Sequence, residues 1–134
     1  MKLLVTGGLG FIGSNFILKL LRESDDFEVI NVDAELFGSD HKNLNEIKNS
    51  DKYHFEKGNI SNKKFMEEQI AKCGAVINFA AESFVDRSIN DANPFLVSNI
   101  RGAFTILDII TKQKKRMIQI STDEVFGSLS TGTA

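Results

Sequence analysis

The sequence has few of the residues that mark disulfide-bonded, metal-binding or nucleic-acid-binding proteins. Its 134 residues include one cysteine and two histidines, and the formal net charge is only −2. A single cysteine, Cys73, excludes an intramolecular disulfide and favours a reducing, cytoplasmic location. Because the charge is nearly balanced, no nucleic-acid partner is expected. His41 and His54 have no other metal-ligating residues at a useful spacing, so no metal site is predicted.

Long hydrophobic runs are also absent from the sequence. No apolar stretch reaches the roughly 20 residues that a membrane-spanning helix needs, so no membrane partner is expected. No charged and then apolar leader precedes a cleavage site, and the chain is expected to begin directly at its fold. The composition is that of a globular domain, with 42% hydrophobic and 25% charged residues. A chain of this length is large enough to bury a hydrophobic core.

Short apolar runs alternate with longer stretches in which apolar residues recur at helical spacing. The runs predict five strands, at Lys2–Thr6, Glu28–Val32, Tyr53–Glu56, Ala75–Phe79 and Met117–Ser121. Helices are predicted over Phe11–Leu21, Lys63–Ala71 and Phe95–Lys112. Ser61 is the expected cap of the second helix, with Gly74 at its C-terminal stop, and Asn93-Pro94 is the expected start of the third. This alternation is typical of βαβ units and a parallel sheet.

A glycine-rich loop, TGGLGFIG over residues 6–13, lies between the first strand and the first helix. Gly7 would allow the tight turn, Gly10 would let the backbone approach a pyrophosphate, and Gly13 would let the helix pack on the strand. The helix N-terminus, at Phe11 and Ile12, would then offer free N–H groups to the phosphates. Glycine loops also serve as plain turns, and a turn without a ligand is the alternative interpretation.

Asp33 lies twenty residues beyond Gly13, at the end of the second strand. An acid at this place accepts hydrogen bonds from the adenosine ribose and repels a 2′-phosphate, which favours NAD over NADP. Strand, glycine loop, helix and acid together predict a Rossmann-type α/β fold, a doubly wound parallel sheet in a three-layer αβα sandwich with strand order 3-2-1-4-5. We assign residues 1–127 to this domain and expect residues 128–134 to form a flexible tail.

The spacing Gly-x-x-Gly-x-x-Gly resembles that of the extended short-chain dehydrogenase/reductase family, whose members mostly act on nucleotide sugars. In that family the residues after the third strand touch adenine, which implies this role for Asn59 and Ile60. The family usually has Asp-Ile there. An asparagine carbonyl can still accept a hydrogen bond from the adenine amino group.

Two longer stretches resemble the dTDP-glucose 4,6-dehydratases within that family. Residues 78–89 read NFAAESFVDRSI, and residues 120–127 read ISTDEVFG. The family motifs are HLAAESHVDRSI and ISTDEVYG, so Asn78, Phe84 and Phe126 are departures. The resemblance covers essentially the whole chain, aligned with the N-terminal part of the enzyme.

The first of these stretches is expected to contact the cofactor. Ala80 and Ala81 are small enough for a cofactor to lie close to the backbone, and Ser83 offers a hydroxyl to the cofactor or to the sugar. Ser98, on the following helix, matches a family position that approaches the cofactor. Asp86 and Arg87 are expected to form a structural ion pair rather than to bind a ligand.

The second stretch implies the chemistry. In the family, hydride leaves sugar carbon 4 for NAD, water is lost across carbons 5 and 6, and hydride returns to carbon 6. The resemblance implies that Asp123 is the acid, that Glu124 is the base and that Thr122 hydrogen-bonds the sugar 4-hydroxyl. Close like charges push the pKa values of two carboxyl groups apart, as an acid and a base require.

Oxidation at carbon 4 also requires a tyrosine base with a lysine four residues later on a helix. Tyr53 and Lys57 match this spacing, but on a strand such residues are about 13 Å apart. The family's own Tyr-Lys helix follows the STDE strand, beyond residue 134, so this chain alone is expected to be inactive. The alternatives are an NAD(H)-binding module and a fragment of a UDP-sugar dehydratase or epimerase. A homodimer through the 95–112 helix is expected from the family.

Overall fold

Five parallel strands form the central sheet of the protein. The computed structural model describes residues 1–122, 125 and 127. Within them the strands are β1 (Lys2–Thr6), β2 (Glu28–Asp33), β3 (Tyr53–Lys57), β4 (Ala75–Asn78) and β5 (Arg116–Gln119). They are hydrogen-bonded in the order β3-β2-β1-β4-β5. This order confirms the predicted Rossmann-type fold, and it reverses between β1 and β4, where ligand sites of such sheets form.

Strand β1 is central because it is apolar on both faces. Leu4 and Val5 point to opposite faces, and both are fully buried. On one side β1 pairs with β2, from Lys2 opposite Glu28 to Thr6 opposite Val32. On the other side it pairs with β4. The carboxyl ends of β1, β2 and β4 are therefore level with one another at one edge of the sheet.

Helices cover both faces of the sheet. On one face, helix α1 (Phe11–Glu23) and a 3₁₀ turn (His41–Leu44) contribute Ile17 and Leu44 to one buried cluster. On the other face, α2 (Lys63–Ala71) and α5 (Ala103–Gln113) pack their apolar sides into a second cluster. The predicted three-layer arrangement is confirmed.

The segment from residue 85 to residue 113 is almost entirely helical. A short helix α3 (Val85–Asn90) precedes α4 (Asn93–Phe95), a π-helical stretch (Leu96–Gly102) and α5 (Ala103–Gln113). The last three follow one another directly, so the predicted third helix is confirmed. Helix α3 was not predicted, because six residues are too few to show a helical period in the sequence.

Two predicted helix caps are wrong by one residue each. Helix α2 is capped by Asn62, whose side chain accepts from the Phe65 N–H at 3.2 Å, and not by Ser61. The backbone N–H of Ser61 is already bound to the Asn59 side chain at 2.9 Å. Helix α4 has Ala92 at its cap position, and Asn93 lies in the first turn with the proline.

Gly74 does not end α2 as a left-handed residue. Its N–H donates to the carbonyl of Lys2 at 2.8 Å, so it already belongs to the pairing of β4 with β1. The carbonyl groups at the end of α2 receive hydrogen bonds from Lys115, which lies just before β5. Its Nζ donates to the carbonyl oxygens of Ile70 at 2.6 Å and Ala71 at 3.1 Å, and also to that of Cys73. Cys73 itself is buried.

The long helical segment carries an apolar stripe that faces solvent. Leu96, Ile100, Phe104 and Leu107 are each at least half exposed, at 53%, 63%, 67% and 50%. Their spacings of four, four and three residues place them on one side of a helix. Within the described part of the chain, no helix is both long and apolar enough to cross a membrane.

Candidate functional site

A groove of about 440 Å³ opens at the carboxyl ends of the strands. The sheet order changes direction beside it, between β1 and β4. It brings together all the residues predicted to bind a cofactor: Gly7, Gly10, Phe11, Ile12, Gly13, Asp33, Asn59, Ile60, Ala80, Ala81, Ser83 and Ser98. Thr122 also lines it, next to Ile120 and Ser121. Asp123, Glu124 and Phe126 lie outside the described residues, as does the predicted tail 128–134.

The glycine loop is held tightly against the sheet. Gly7 has a φ of 70°, in the left-handed region that favours glycine. A Cβ atom on Gly7 would lie only 2.6 Å from the backbone nitrogen of Ala80. The absence of a side chain therefore lets the end of β1 approach the end of β4, and these two backbones form the floor of the groove.

Helix α1 begins at the groove with its N–H groups uncovered by side chains. Its cap position is Gly10, which has no side-chain hydrogen bond to offer. Phe11 and Ile12, in the first turn, are 81% and 63% exposed although both are large and apolar. Free N–H groups and the positive end of the helix dipole favour an anion at this place.

Asn31 fixes the loop to the neighbouring strand, and sequence reasoning missed it. Its side-chain oxygen accepts from the Gly8 N–H at 3.1 Å, and its Nδ2 donates to the Tyr53 hydroxyl at 2.9 Å. All three groups are buried. A polar residue in the middle of an apolar strand (EVINVD) is the signal that could have revealed this anchor.

Asp33 lies at the edge of the groove and is held by three protein donors. Its Oδ2 accepts from the Leu9 N–H at 3.0 Å, and its Oδ1 accepts from the Glu35 N–H and the Ser39 hydroxyl, each at 2.8 Å. Two carboxylate oxygens have about four acceptor sites, so capacity for a further donor remains. The acid thus also organises the loop after β2.

The loop after β4 is positioned by one side chain of the long helical segment. Asn99 Oδ1 accepts from the Glu82 N–H, and Asn99 Nδ2 donates to the Glu82 carbonyl, both at 2.8 Å. This two-way clamp fixes the backbone between Ala81 and Ser83, the stretch that lines the groove. Ser98, the residue before Asn99, lines the groove itself.

The predicted ion pair between Asp86 and Arg87 is wrong. Arg87 pairs instead with the buried Glu82, at 3.7 Å, and its guanidinium lies 4.6 Å from the centre of the Phe37 ring. Both residues of the predicted pair lie in α3, and consecutive side chains of a helix do not face each other. The Phe37 ring also meets Phe84 edge to face, with ring centroids 4.8 Å apart. These contacts join the loop after β2 to the loop after β4.

Asn78, one of the departures from the family motif, has a structural place. Its side-chain oxygen accepts from the Thr6 hydroxyl, and its Nδ2 donates to Gln119 Oε1 at 2.8 Å. The three residues end β1, β4 and β5, so the asparagine ties together the three strands beneath the groove.

The Tyr53–Lys57 spacing is confirmed to be a coincidence. Both residues lie on β3, and the Tyr53 hydroxyl is buried against Asn31. Burial is the main cause that raises the pKa of Tyr53 above 10, whereas a tyrosine base needs a lowered pKa. Lys57 forms an ion pair with Glu35 and does not approach the tyrosine.

Much of the groove wall lies in the loop after Asp33. The lining residues that were not predicted are Val32, Ala34, Leu36, Phe37, Gly38, Ser39, Gly58, Phe79, Glu82, Phe84, Ile120 and Ser121. Their nearness in the chain to Asp33, Asn59, the β4 motif and Thr122 is the signal that could have found them. No group of residues that could hold a metal ion occurs in the described part of the chain.

Sheet order, glycine loop and groove together define a Rossmann-type α/β domain. The chain belongs to the GDP-mannose 4,6 dehydratase family, whose sequence model matches residues 4–133. It is 40% identical over 129 residues to dTDP-glucose 4,6-dehydratase of Mycobacterium tuberculosis strain H37Rv, with 96% of this chain and 38% of that protein aligned. It is 42% identical over 133 residues to the low-salt glycan biosynthesis protein Agl12 of Haloferax volcanii, with 98% of this chain and 43% of that protein aligned.

Solved structures agree with this assignment. The dTDP-glucose 4,6-dehydratase of Streptomyces venezuelae, crystallised with NAD, superposes with a TM-score of 0.92 at 36% identity over all of this chain and 43% of its own. A UDP-glucose 4-epimerase of Stenotrophomonas maltophilia, also with NAD, gives 0.85 at 26% identity over all of this chain and 40% of its own. The chain spans about two fifths of the length of these relatives. The predicted resemblance to the N-terminal portion of the dTDP-glucose 4,6-dehydratases is confirmed.

Proposed function

We propose that this chain is the NAD-binding part of a nucleotide-sugar 4,6-dehydratase that acts on dTDP-glucose or a similar sugar nucleotide. The observation that carries the proposal is the single groove shared by the uncapped start of α1, the acid Asp33 and the loop after β4. The relatives named dTDP-glucose 4,6-dehydratase support the reaction class, and those crystallised with NAD support the cofactor.

The groove suits a dinucleotide in size, shape and charge. Gly7 and Gly10 leave backbone open to a pyrophosphate, and the first turn of α1 supplies donors to it. Asp33 has acceptor capacity for ribose hydroxyls, and Asn59 and Ile60, which line the same groove, would contact adenine. Ala80 and Ala81, both small, form the wall beyond the glycine loop. NAD, when bound, would supply the hydride acceptor and donor that the reaction requires.

On the sugar side, the assigned roles follow the ISTDEVFG motif. Thr122 would donate a hydrogen bond to the sugar 4-hydroxyl, and Ser83 lies within the same groove to bind the sugar or the cofactor. Asp123 would protonate the departing hydroxyl of carbon 6, and Glu124 would remove the carbon-5 proton. These two roles rest on the motif alone, because both carboxylates lie outside the described residues.

The chain alone is proposed to bind NAD without completing the reaction. The reaction needs a tyrosine base for carbon 4. Tyr53 is the only tyrosine of the sequence, and it is buried on β3 and so cannot serve as that base. Incubation with NAD and dTDP-glucose, followed by mass spectrometry, should show no product that has lost one water. Formation of that product would contradict the proposed inactivity.

Hydrogen–deuterium exchange tests where NAD binds. Addition of NAD should slow exchange in peptides that cover residues 7–13 and 80–83, and leave the exchange of residues 103–113 unchanged. Slowing confined to other segments, or no slowing at all, would refute the groove as the cofactor site.

The cytoplasmic location predicted from the lone cysteine stays a prediction.

A UDP-sugar enzyme is the second candidate. The epimerase resemblance shows that such enzymes share this part of the fold. The greater identity of the dTDP-glucose dehydratase, 36% against 26%, favours the first candidate.

Self-association through the exposed stripe of residues 96–107 is also proposed. Four large apolar side chains on one side of a helix are a surface that soluble proteins usually cover. A second copy of the chain could cover it in a homodimer, as predicted for the 95–112 helix.

A further inference from the structure

Glu35 lies directly behind the acid that is proposed to bind the ribose. Its N–H donates to Asp33 Oδ1 at 2.8 Å, and its own φ is 55°, in the left-handed region that residues with side chains seldom adopt. This turn directs the Glu35 side chain away from the groove lining and towards the lysine Lys57 and the histidine His41.

Those two residues reach Glu35 from different elements. His41 Nε2, from the 3₁₀ turn, lies 2.6 Å from Glu35 Oε1. Lys57, from the end of β3, forms an ion pair with Glu35 Oε2. Lys57 lies directly opposite Asp33 in the pairing of β2 with β3. Its side chain therefore extends from the strand position beside the acid that is proposed to bind the ribose.

Without Glu35, this corner would hold uncompensated positive charge. A 2′-phosphate on the adenosine ribose would lie beside the acid that ends β2, and enzymes that use NADP place a cation there to bind it. The hydrogen bonds from His41 and Lys57 lower the pKa of Glu35, so the carboxylate is ionised at neutral pH and opposes the charge of Lys57.

We propose that Glu35 is a specificity-determining residue that discriminates against a 2′-phosphate, because it occupies Lys57 and His41 and keeps both from binding that phosphate. This inference rests on the proposed function, since it assumes that the adenosine ribose lies at Asp33. Asp33 repels the phosphate directly. Glu35 acts one step further away, by occupying the lysine ammonium and the histidine ring that could otherwise bind the phosphate.

The test compares the affinities for NAD and NADP of the wild-type chain and the variant Glu35→Gln. Glutamine keeps the size and the acceptor oxygen of the side chain but removes its charge. NADP should bind about tenfold more tightly to the variant, the effect of one charge-assisted hydrogen bond. The affinity for NAD should change by less than about twofold, because Glu35 does not line the groove.

Two controls accompany this variant. The double variant Glu35→Gln, Lys57→Gln should lose most of the gain for NADP, because it removes the cation that Glu35 releases. Glu56→Gln changes the net charge equally, but Glu56 is next to Lys57 on β3 and points to the opposite face of the sheet. It should leave the preference for NAD over NADP unchanged.

The outcomes separate this inference from the function on which it rests. If NAD binds the wild-type chain but Glu35→Gln does not improve the affinity for NADP, the role of Glu35 is refuted and the groove stands. If Glu56→Gln improves NADP binding equally, general charge explains the effect and the inference fails. If NAD does not bind the folded wild-type chain, the proposed function fails, and the inference fails with it.

Discussion

At the scale of single residues, the glycines of the loop have separable tasks. A Cβ on Gly13 would collide with the carbonyl oxygen of Gly7 and lie 2.9 Å from the Cα of Gly8. A Cβ on Gly10 would meet only the Gly7 oxygen, at 3.4 Å, which is ordinary contact. Gly13 is therefore needed for packing, whereas Gly10 is free to serve the ligand.

The first prediction follows from this difference. Gly13→Ala should lower the free energy of unfolding by roughly 1–3 kcal/mol, the usual cost of overpacking. Gly10→Ala should cost less than about 1 kcal/mol, as an ordinary change of a cap residue does, yet it should weaken NAD binding. Urea denaturation and NAD titration of both variants provide the measurements. Equal losses of stability in the two variants would contradict the assignment.

The second prediction concerns Tyr53, the only tyrosine in a chain without tryptophan. Burial raises its pKa in the folded state above the ordinary value of 10, so folding favours the neutral phenol. The stabilisation is fully present below pH 10, and is lost as the pH rises through the higher folded pKa. Phenolate absorbance should therefore titrate above pH 10 in the native protein and near pH 10 in urea. Coincident titrations would refute burial of the hydroxyl.

Some residues of the site could be predicted from the sequence and others could not. Asp33 and the groove glycines could be predicted because their spacing from a strand and a helix is short and local. The roles of Asn31 and Asn99 could not, since each depends on a partner in a distant part of the chain, Gly8 and Glu82. The pairing of Arg87 with Glu82 depended likewise on an unpredicted short helix.

At the scale of elements, the end of α2 is stabilised by Lys115, which lies 44 residues after Ala71 in the chain. The last carbonyl groups of a helix have no partners inside it, and a cation there also interacts favourably with the helix dipole. Lys115 donates to two such carbonyls, those of Ile70 and Ala71, and also to the carbonyl of Cys73 beyond the helix. It therefore links the α2–β4 connection to the start of β5.

The third prediction is that Lys115→Met destabilises the fold by roughly 1–2 kcal/mol, since it removes these hydrogen bonds. Lys114→Met is the matched control, because Lys114 is exposed and its substitution changes the net charge equally. It should stay within about 0.5 kcal/mol of the wild type in chemical denaturation. The cap would be refuted if both variants lost the same stability.

Sequence patterns located the strands and the long helices well, because apolar runs and helical periods extend over several residues. Boundaries were less predictable. Ser61 and Asn62 are both good cap residues, and only the folded backbone decides that Asn62 reaches the Phe65 N–H. The π-helical stretch at residues 96–102 was not predicted, because a single widened turn inside a long helix is too short to change the apolar pattern.

At the scale of the whole molecule, the exposed stripe predicts association. The fourth prediction is that the mean mass in sedimentation rises with protein concentration, and that Phe104→Lys suppresses the rise because it places a charge in the stripe. Ile89→Lys is the control, since Ile89 is 77% exposed on another helix. A stable monomer at every concentration would contradict the proposal.

The strand order and the position of the groove could be predicted because the glycine loop, Asp33 and the β4 motif each follow a particular strand. The acid and base roles at the site have a different basis. Asp123 and Glu124 indicate an elimination reaction, but they lie outside the described residues, and their roles depend on a motif of eight residues.

Calorimetric titration of the purified chain with NAD tests the central claim most directly. The chain should bind NAD at one site, and Gly10→Ala, although folded by circular dichroism, should bind it more weakly. Absence of binding heat at several temperatures, for a wild-type chain shown to be folded, would contradict the claim that this groove holds NAD.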